Sequence, residues 1–291
     1  MNAKKRDFQN WSPLRIFLSY FANHKRLFAL DISSAIFIAL IDLAFPLVTR
    51  KALYDLLPNG KFQVFFQMMA VVVLFYIIRA GLNFVVCYFG HTFGIRVEAD
   101  IREDLFTHMQ EMSFDFYDSN RTGQLMSRLT SDLFELTELA HHGPEDVVTS
   151  AFTILGALIV MAKIRWELAL VVGIMIPVFL VVVMTMRSGM SRASAIVKKK
   201  TGHINTEIES SLSGIRTAKA FGNEEVEAQR FRAANDQYKV SKRGFHKAMG
   251  LFNTSMEFLL TMLNVVVIAL GGWLIMKGTM DYRDLVTFSL Y

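Results

Sequence analysis

Few side chains in this sequence are spaced for chemistry. His141 and His142 are adjacent, no third ligand is read at helical spacing from them, and His24, His91, His108, His203 and His246 are scattered. A protein-bound metal needs three or four converging ligands, so none is expected here. Cys87 is the one cysteine; it lies in an apolar run, forms no intrachain disulfide, suits packing and makes a poor nucleophile. No Ser-His-Asp or Cys-His grouping can be picked out, and no catalytic residue is expected. Three charges are more telling, because Asp42, Arg79 and Glu257 stand within or beside long apolar stretches. A charge at bilayer depth costs about 2.5–3.5 kcal/mol on insertion scales, so each needs a partner or water. Asp42 and Arg79 lie in adjacent apolar runs at comparable depth, which predicts either that they pair or that they line a polar cavity.

The elements that hold these residues are membrane helices. The chain has 291 residues, 53% of them apolar and only 20% charged, with a mean hydropathy of +0.34. Soluble domains carry about 25% charged residues. Thirty-one Lys and Arg against 26 Asp and Glu give a net charge of +5, too modest to imply nucleic acid as a partner. The N-terminus carries Lys4, Lys5 and Arg6, but no apolar run begins before Phe28, so it does not read as a cleaved signal peptide.

A spanning helix needs about 20 largely apolar residues. Spans are predicted over about 28–49, 64–91, 145–163, 166–187 and 250–276, with the start of a sixth at 283 that the end of the chain cuts off. The predicted fold class is therefore an all-α membrane protein. Long connections of about 92–144 and 188–249 alternate with short ones. Twenty-three Lys and Arg lie in the N-terminal segment and the long connections, against seven on the short-turn side. The excess of basic residues predicts that the N-terminus and both long arms are cytoplasmic.

Phe62 to Ile95 is 34 residues long with a single charge. As a helix it would measure about 51 Å, against a hydrocarbon core of about 30 Å, so it must tilt or protrude. Val97, Ile101, Leu105 and Met109 then recur every fourth residue among charged neighbours, which predicts that the same helix continues into the cytoplasm as an amphipathic rod. Before the first span, Ser12 and Pro13 signal a helix start. Leu14, Phe17, Leu18 and Phe21 follow on one face, as in an elbow helix within residues 1–27 that lies on the inner leaflet or packs on protein.

In the first arm, Asp118 through Gly123 is turn and cap chemistry between two amphipathic helices, which predicts a tip at the end of a helical hairpin. The surrounding stretch holds Phe116, Tyr117, Asp118, Thr122, Gly123, Leu125, Ser127, Arg128, Leu129 and Asp132. It resembles the intracellular loop of six-helix ABC exporters. Glu209, Gly214, Ile215, Lys219, Ala220, Phe221, Glu224, Glu225 and Phe231 are similar to that family's second loop. The tail from Gly278 resembles the entry to its sixth helix, with Arg283 where the family often has Gly.

The resemblance implies a transmembrane domain over 28–291, a six-transmembrane-helix exporter bundle with a truncated sixth helix and two long cytoplasmic helical loops. It implies one coupling helix centred on Phe116, Tyr117, Asp118, Thr122, Gly123 and Gln124, and a second on Gly214, Ile215, Lys219, Phe221 and Glu224. Each would dock on an ATPase domain, fused or separate. Other implied partners are a second transmembrane domain, as homodimer or heterodimer, the lipid bilayer, and a small amphipathic or hydrophobic substrate such as a drug or lipid. The implied setting is a bacterial inner membrane.

Asp42, Arg79 and Glu257 are candidate cavity residues. Phe37, Phe45, Phe75, Met256, Phe258 and Met262 would face the same cavity, the lipid or neighbouring helices. No cofactor is expected in this chain, with ATP and magnesium belonging to the full transporter. Gly60-Lys61, followed by Phe62, lacks the G-x-x-x-x-G-K-[ST] pattern of a phosphate loop, and Leu212-Ser213-Gly214 only superficially matches an ATPase signature. The expected function is thus the permease half of a longer ATP-driven exporter. A receptor or scaffold, or an ion-driven secondary transporter, is the alternative.

Overall fold

The computed structural model describes residues 11–120 and 122–291, with the side chain of Gln124 set aside. Lys4, Lys5, Arg6 and Arg121, and the side-chain role expected of Gln124, lie outside the described residues. Those residues are almost wholly helical, with no strand among them. They form two compact units, one running up to residue 161 and taking in 286–291, the other of residues 162–285.

The first unit opens with α1 (Pro13–Phe21), where the Arg15 amide donates to the Ser12 hydroxyl at 3.3 Å and Pro13 sits in the first turn. A 3-10 turn leads into α2 (Lys25–Lys51). This helix continues through a π turn, Ala52–Leu56, to a tight reversal. There Gly60 takes φ 67°, a conformation glycine adopts without strain. Next come α3 (Phe62–Val85), a second π turn over Val86–Gly90, and α4 (His91–Gln110). Phe62 to Gln110 is one 49-residue helix, whose apolar first half runs into an amphipathic second half.

α3 is largely apolar, with Arg79 its one charge, and has no buried residue, the pattern of a helix whose solvent is lipid. α4 instead buries Val97 and Ile101 in a core with Tyr20, Phe21, Phe93, Leu133 and Ala140. Phe21 and Phe93 meet edge to face at 4.9 Å. Of the two surfaces expected of α1, protein packing takes one part of its apolar face. Phe17 and Phe21 turn inward onto α4, while Leu14 and Leu18 stay exposed. An apolar stripe more than about 100° wide serves two surfaces at once. Tyr20 Oη donates to Asp104 at 2.8 Å and Asn23 donates to Asp100 at 2.8 Å, tying the elbow to the arm.

Two short helices, α5 (Phe114–Ser119) and α6 (Thr122–Leu129), precede α7 (Ser131–Ser213). Both the third and fourth expected spans lie on α7, which leaves helical geometry at Arg165 (φ −157°, ψ 106°). The unit boundary also falls within it.

In the second unit, α7 leads to α8 (Ile215–Ala220), α9 (Glu224–Met276) and the start of α10 (Tyr282–Ser289). Lys200 Nζ donates to Gln237 at 2.6 Å and Ser211 Oγ to Glu227 at 2.6 Å, so polar contacts hold the lower part of α7 against α9. Gly271 lets Leu285 approach so closely that a Cβ there would lie 2.3 Å from Leu285 Cδ1.

Candidate functional site

The first tip consists of two short helices. Phe116, Tyr117 and Asp118 lie on α5, Thr122 and Gly123 on α6, and the chain is extended between them at Asn120 (φ −119°, ψ 129°). Tyr117 Oη donates to the Met109 carbonyl, anchoring α5 to the end of α4. Asn120 Nδ2 caps the Phe116 carbonyl at 2.8 Å. α6 is held by buried Leu125 and by Arg102 Nε, which donates to the Leu129 carbonyl at 2.9 Å. With that face fixed, Tyr117, Asp118, Thr122 and Gly123 remain exposed. Phe114 is 89% exposed; it stands just before the motif quoted above, and only its apolar character among turn residues signals it.

The second tip is α8 with its flanks. Ala218 is buried beneath it, and the Asn223 amide closes the turn by donating to the Ala218 carbonyl at 2.8 Å. Gly222 takes φ 64° and leaves Phe221 projecting at 74% exposure, beside exposed Ile215, Lys219 and Glu224. Gly214, the residue before α8, is half-buried. Glu224, Glu225 and Glu227 open α9 where negative charge suits a helix start. Among the described residues of the two tips, no hydroxyl is hydrogen-bonded to a carboxylate or histidine as a nucleophile to its base. What they offer is rigid, exposed aromatic and aliphatic side chains, the type of surface that marks a protein contact.

Within the spans of the first unit, Arg79 makes a two-pronged contact with Asp42, Nε to Oδ1 at 2.8 Å and Nη2 to Oδ2 at 2.9 Å. Beside the pair, Phe37, Phe45, Val48, Phe75 and Tyr76 line part of an apolar groove of about 250 Å³ between α2 and α3. Phe45 and Tyr76 meet edge to face at 5.6 Å. Glu257, Met256, Phe258 and Met262 belong to the second unit, on α9, where Glu257 and Phe258 are exposed and the two methionines half-buried. Gly60-Lys61 sits in a tight reversal that joins the π turn at Ala52–Leu56 to α3, with Gly60 at positive φ.

Scattered histidines do converge. His91, His141 and His142 present ligand atoms within 4.8 Å of one another, and so do Asp31, His141 and Glu145. Asp31, in the early part of α2, is 1% exposed and enclosed where α2, α4 and α7 meet, because Gly90 leaves room for His141 beside it. Burial pushes the His141 imidazole below its ordinary range, against the opposing pull of Glu145. The sequence carried part of this signal, since Glu145 lies one helical turn after His141. Asp31 and His91 are contacts made at long range.

The family described as the ABC transporter transmembrane region matches residues 28–291. The chain is 38% identical over 278 residues to an ABC transporter ATP-binding protein, YwjA, of Bacillus subtilis (strain 168), covering 95% of this chain and 48% of that protein. It is 23% identical over 280 residues to the ATP-dependent lipid A-core flippase of Syntrophus aciditrophicus (strain SB), covering 95% and 47%. It is 28% identical over 197 residues to the ABC-type oligopeptide transporter ABCB9 of Mus musculus, covering 67% and 26%. The chain spans about half the length of the bacterial relatives it matches. Long apolar helices, two short-helix tips and a family match over residues 28–291 agree, and the chain belongs to the ABC transporter transmembrane region family, an all-helical integral membrane fold.

Proposed function

We propose that this chain is the permease part of an ATP-driven exporter. It works beside a second transmembrane domain and is driven by ATPase domains that bind ATP and magnesium. Closure of those domains moves the two arms, and the arms switch a central cavity between inward and outward access. The N-terminus and both arms lie in the cytoplasm of a bacterial cell. The cargo is a small amphipathic or hydrophobic molecule, in keeping with the apolar groove and with a lipid A-core flippase among the relatives.

One observation carries this reading: each arm ends in a short helix with its backbone anchored and its aromatic side chain exposed, Phe114 and Tyr117 on one and Phe221 on the other. Such a tip transmits force only if its base is rigid. The Tyr117 and Arg102 bonds to backbone carbonyls and the closed turn at Asn223 provide that rigidity.

The test is reconstitution of the full transporter in vesicles carrying a fluorescent short-chain lipid. ATP with magnesium should accelerate leaflet exchange, and a non-hydrolysable analogue should not. Exchange driven by an ion gradient alone would favour a secondary transporter, and failure of any ATPase to co-purify would favour a receptor.

A further inference from the structure

The cluster at the inner end of α2, α4 and α7 has a composition that transport does not explain. Asp31 is 1% and His141 3% exposed, yet both Asp31 carboxylate oxygens and His141 Nδ1 lack any hydrogen bond. His141 Nδ1 lies 3.3 Å from the Asp31 carboxylate and its Nε2 lies 3.5 Å from the Glu145 carboxylate. A buried polar atom without a hydrogen bond costs on the order of 1–3 kcal/mol, more for a charged group, and the 3.3 Å approach of His141 Nδ1 to Asp31 relieves that only if the ring is charged. Two carboxylates around one imidazole therefore call for a cation.

His91 is set up as a further ligand. Its Nδ1 is 2.8 Å from the Cys87 carbonyl, which only accepts, so Nδ1 carries the proton and the Nε2 lone pair is free. That backbone contact is the outer-shell arrangement that orients metal-binding histidines. The His91 ring lies 4.6 Å from that of His141 and 5.5 Å from that of His142. The π turn Val86–Gly90 ends immediately before His91, and such turns concentrate at functional sites. At Gly90 a Cβ would lie 2.0 Å from His141 Cε1 and 2.9 Å from Asp31 Oδ1. Only glycine lets the ring and the carboxylate come together there.

We propose that Asp31, His141 and Glu145 bind a divalent transition metal of the zinc class, with His91 Nε2 as fourth ligand and half-exposed His142 at the rim. Mixed nitrogen and oxygen donors suit zinc. Calcium and magnesium, which take oxygen ligands almost alone, do not suit this set. The ion staples three helices of the first unit and supplies the charge that the buried carboxylates lack.

The test uses the full chain purified in detergent with a tag that contains no histidine. After dialysis against zinc and then against a weak chelator, elemental analysis should find one equivalent per chain, and zinc should raise the melting temperature. Cobalt in its place should give the visible bands of a tetrahedral site. Because Asp31→Asn removes a buried group and can misfold, His91→Ala and Glu145→Gln are the informative variants. Each should keep its helical circular dichroism and bind zinc at least about tenfold more weakly. His203→Ala, which breaks a surface contact with Glu207 on α7, should bind as the unaltered chain does. Less than one equivalent in the unaltered chain, or undiminished binding by folded His91→Ala and Glu145→Gln, overturns the proposal.

Discussion

Arg79→Ala is expected to destabilise the chain by about 2.5–3.5 kcal/mol, the cost of one uncompensated charge at bilayer depth. The substitution leaves the Asp42 carboxylate without the guanidinium that meets it at 2.8 and 2.9 Å. In the bare protein the two side chains are 36% and 41% exposed, and a pair exposed to that degree in water contributes at most about 1 kcal/mol. The magnitude therefore reports the solvent. Thermal melting of the detergent-solubilised protein and of the same protein in bilayers should separate the cases, with the larger loss in bilayers. Neutralising both partners, Asp42→Asn with Arg79→Gln, should recover most of the loss, because removing one charge of a desolvated pair is worse than removing both. A loss below 1 kcal/mol in bilayers would place the pair in water and argue for a polar cavity wall.

Deleting Asn120 to Gly123 is expected to abolish coupled transport while leaving the fold intact. The segment contains the extended residue between α5 and α6 and the first turn of α6. The anchors on either side, Tyr117 to Met109 and Arg102 to Leu129, lie outside the deletion. The core of Tyr20, Phe93, Val97 and Leu133 also lies outside it, so melting should shift little. The contact surface of Phe114, Tyr117 and Asp118 would be re-aimed, and a lever whose end misses its partner moves nothing. In vesicles the variant should hydrolyse ATP at a basal rate without accelerating lipid exchange. Normal exchange per ATP would remove the first tip from the mechanism.

Much of the architecture was legible because it follows from local rules. The fourfold spacing of Val97, Ile101, Leu105 and Met109 fixed the inward face of α4, and Ser12-Pro13 marked the start of α1. The turn at Gly60 suits its neighbours, Pro58 and Asn59, which are turn residues by type. The Asp42–Arg79 contact is one of the two arrangements that their matching depth allowed, beside a polar cavity wall. What escaped depends on contacts distant in sequence or on backbone insertions. The π turns at Ala52–Leu56 and Val86–Gly90 have no side-chain signature. The second turn precedes His91 at the point where it meets His141 and His142. The burial of Asp31 escaped because nothing local tells that Gly90 makes a space beside it. The split face of α1 escaped for the same reason, since its two surfaces depend on where α4 packs.

In the proposed exporter both tips contact the ATPase domains from the same side of the membrane. A photo-reactive phenylalanine analogue placed at Tyr117, at Phe221 or at Asn59 of the Gly60 turn, in the full transporter, tests it directly. Illumination should join Tyr117 and Phe221 to an ATPase domain and leave Asn59 unreacted; capture from Asn59, or from neither tip, would contradict it.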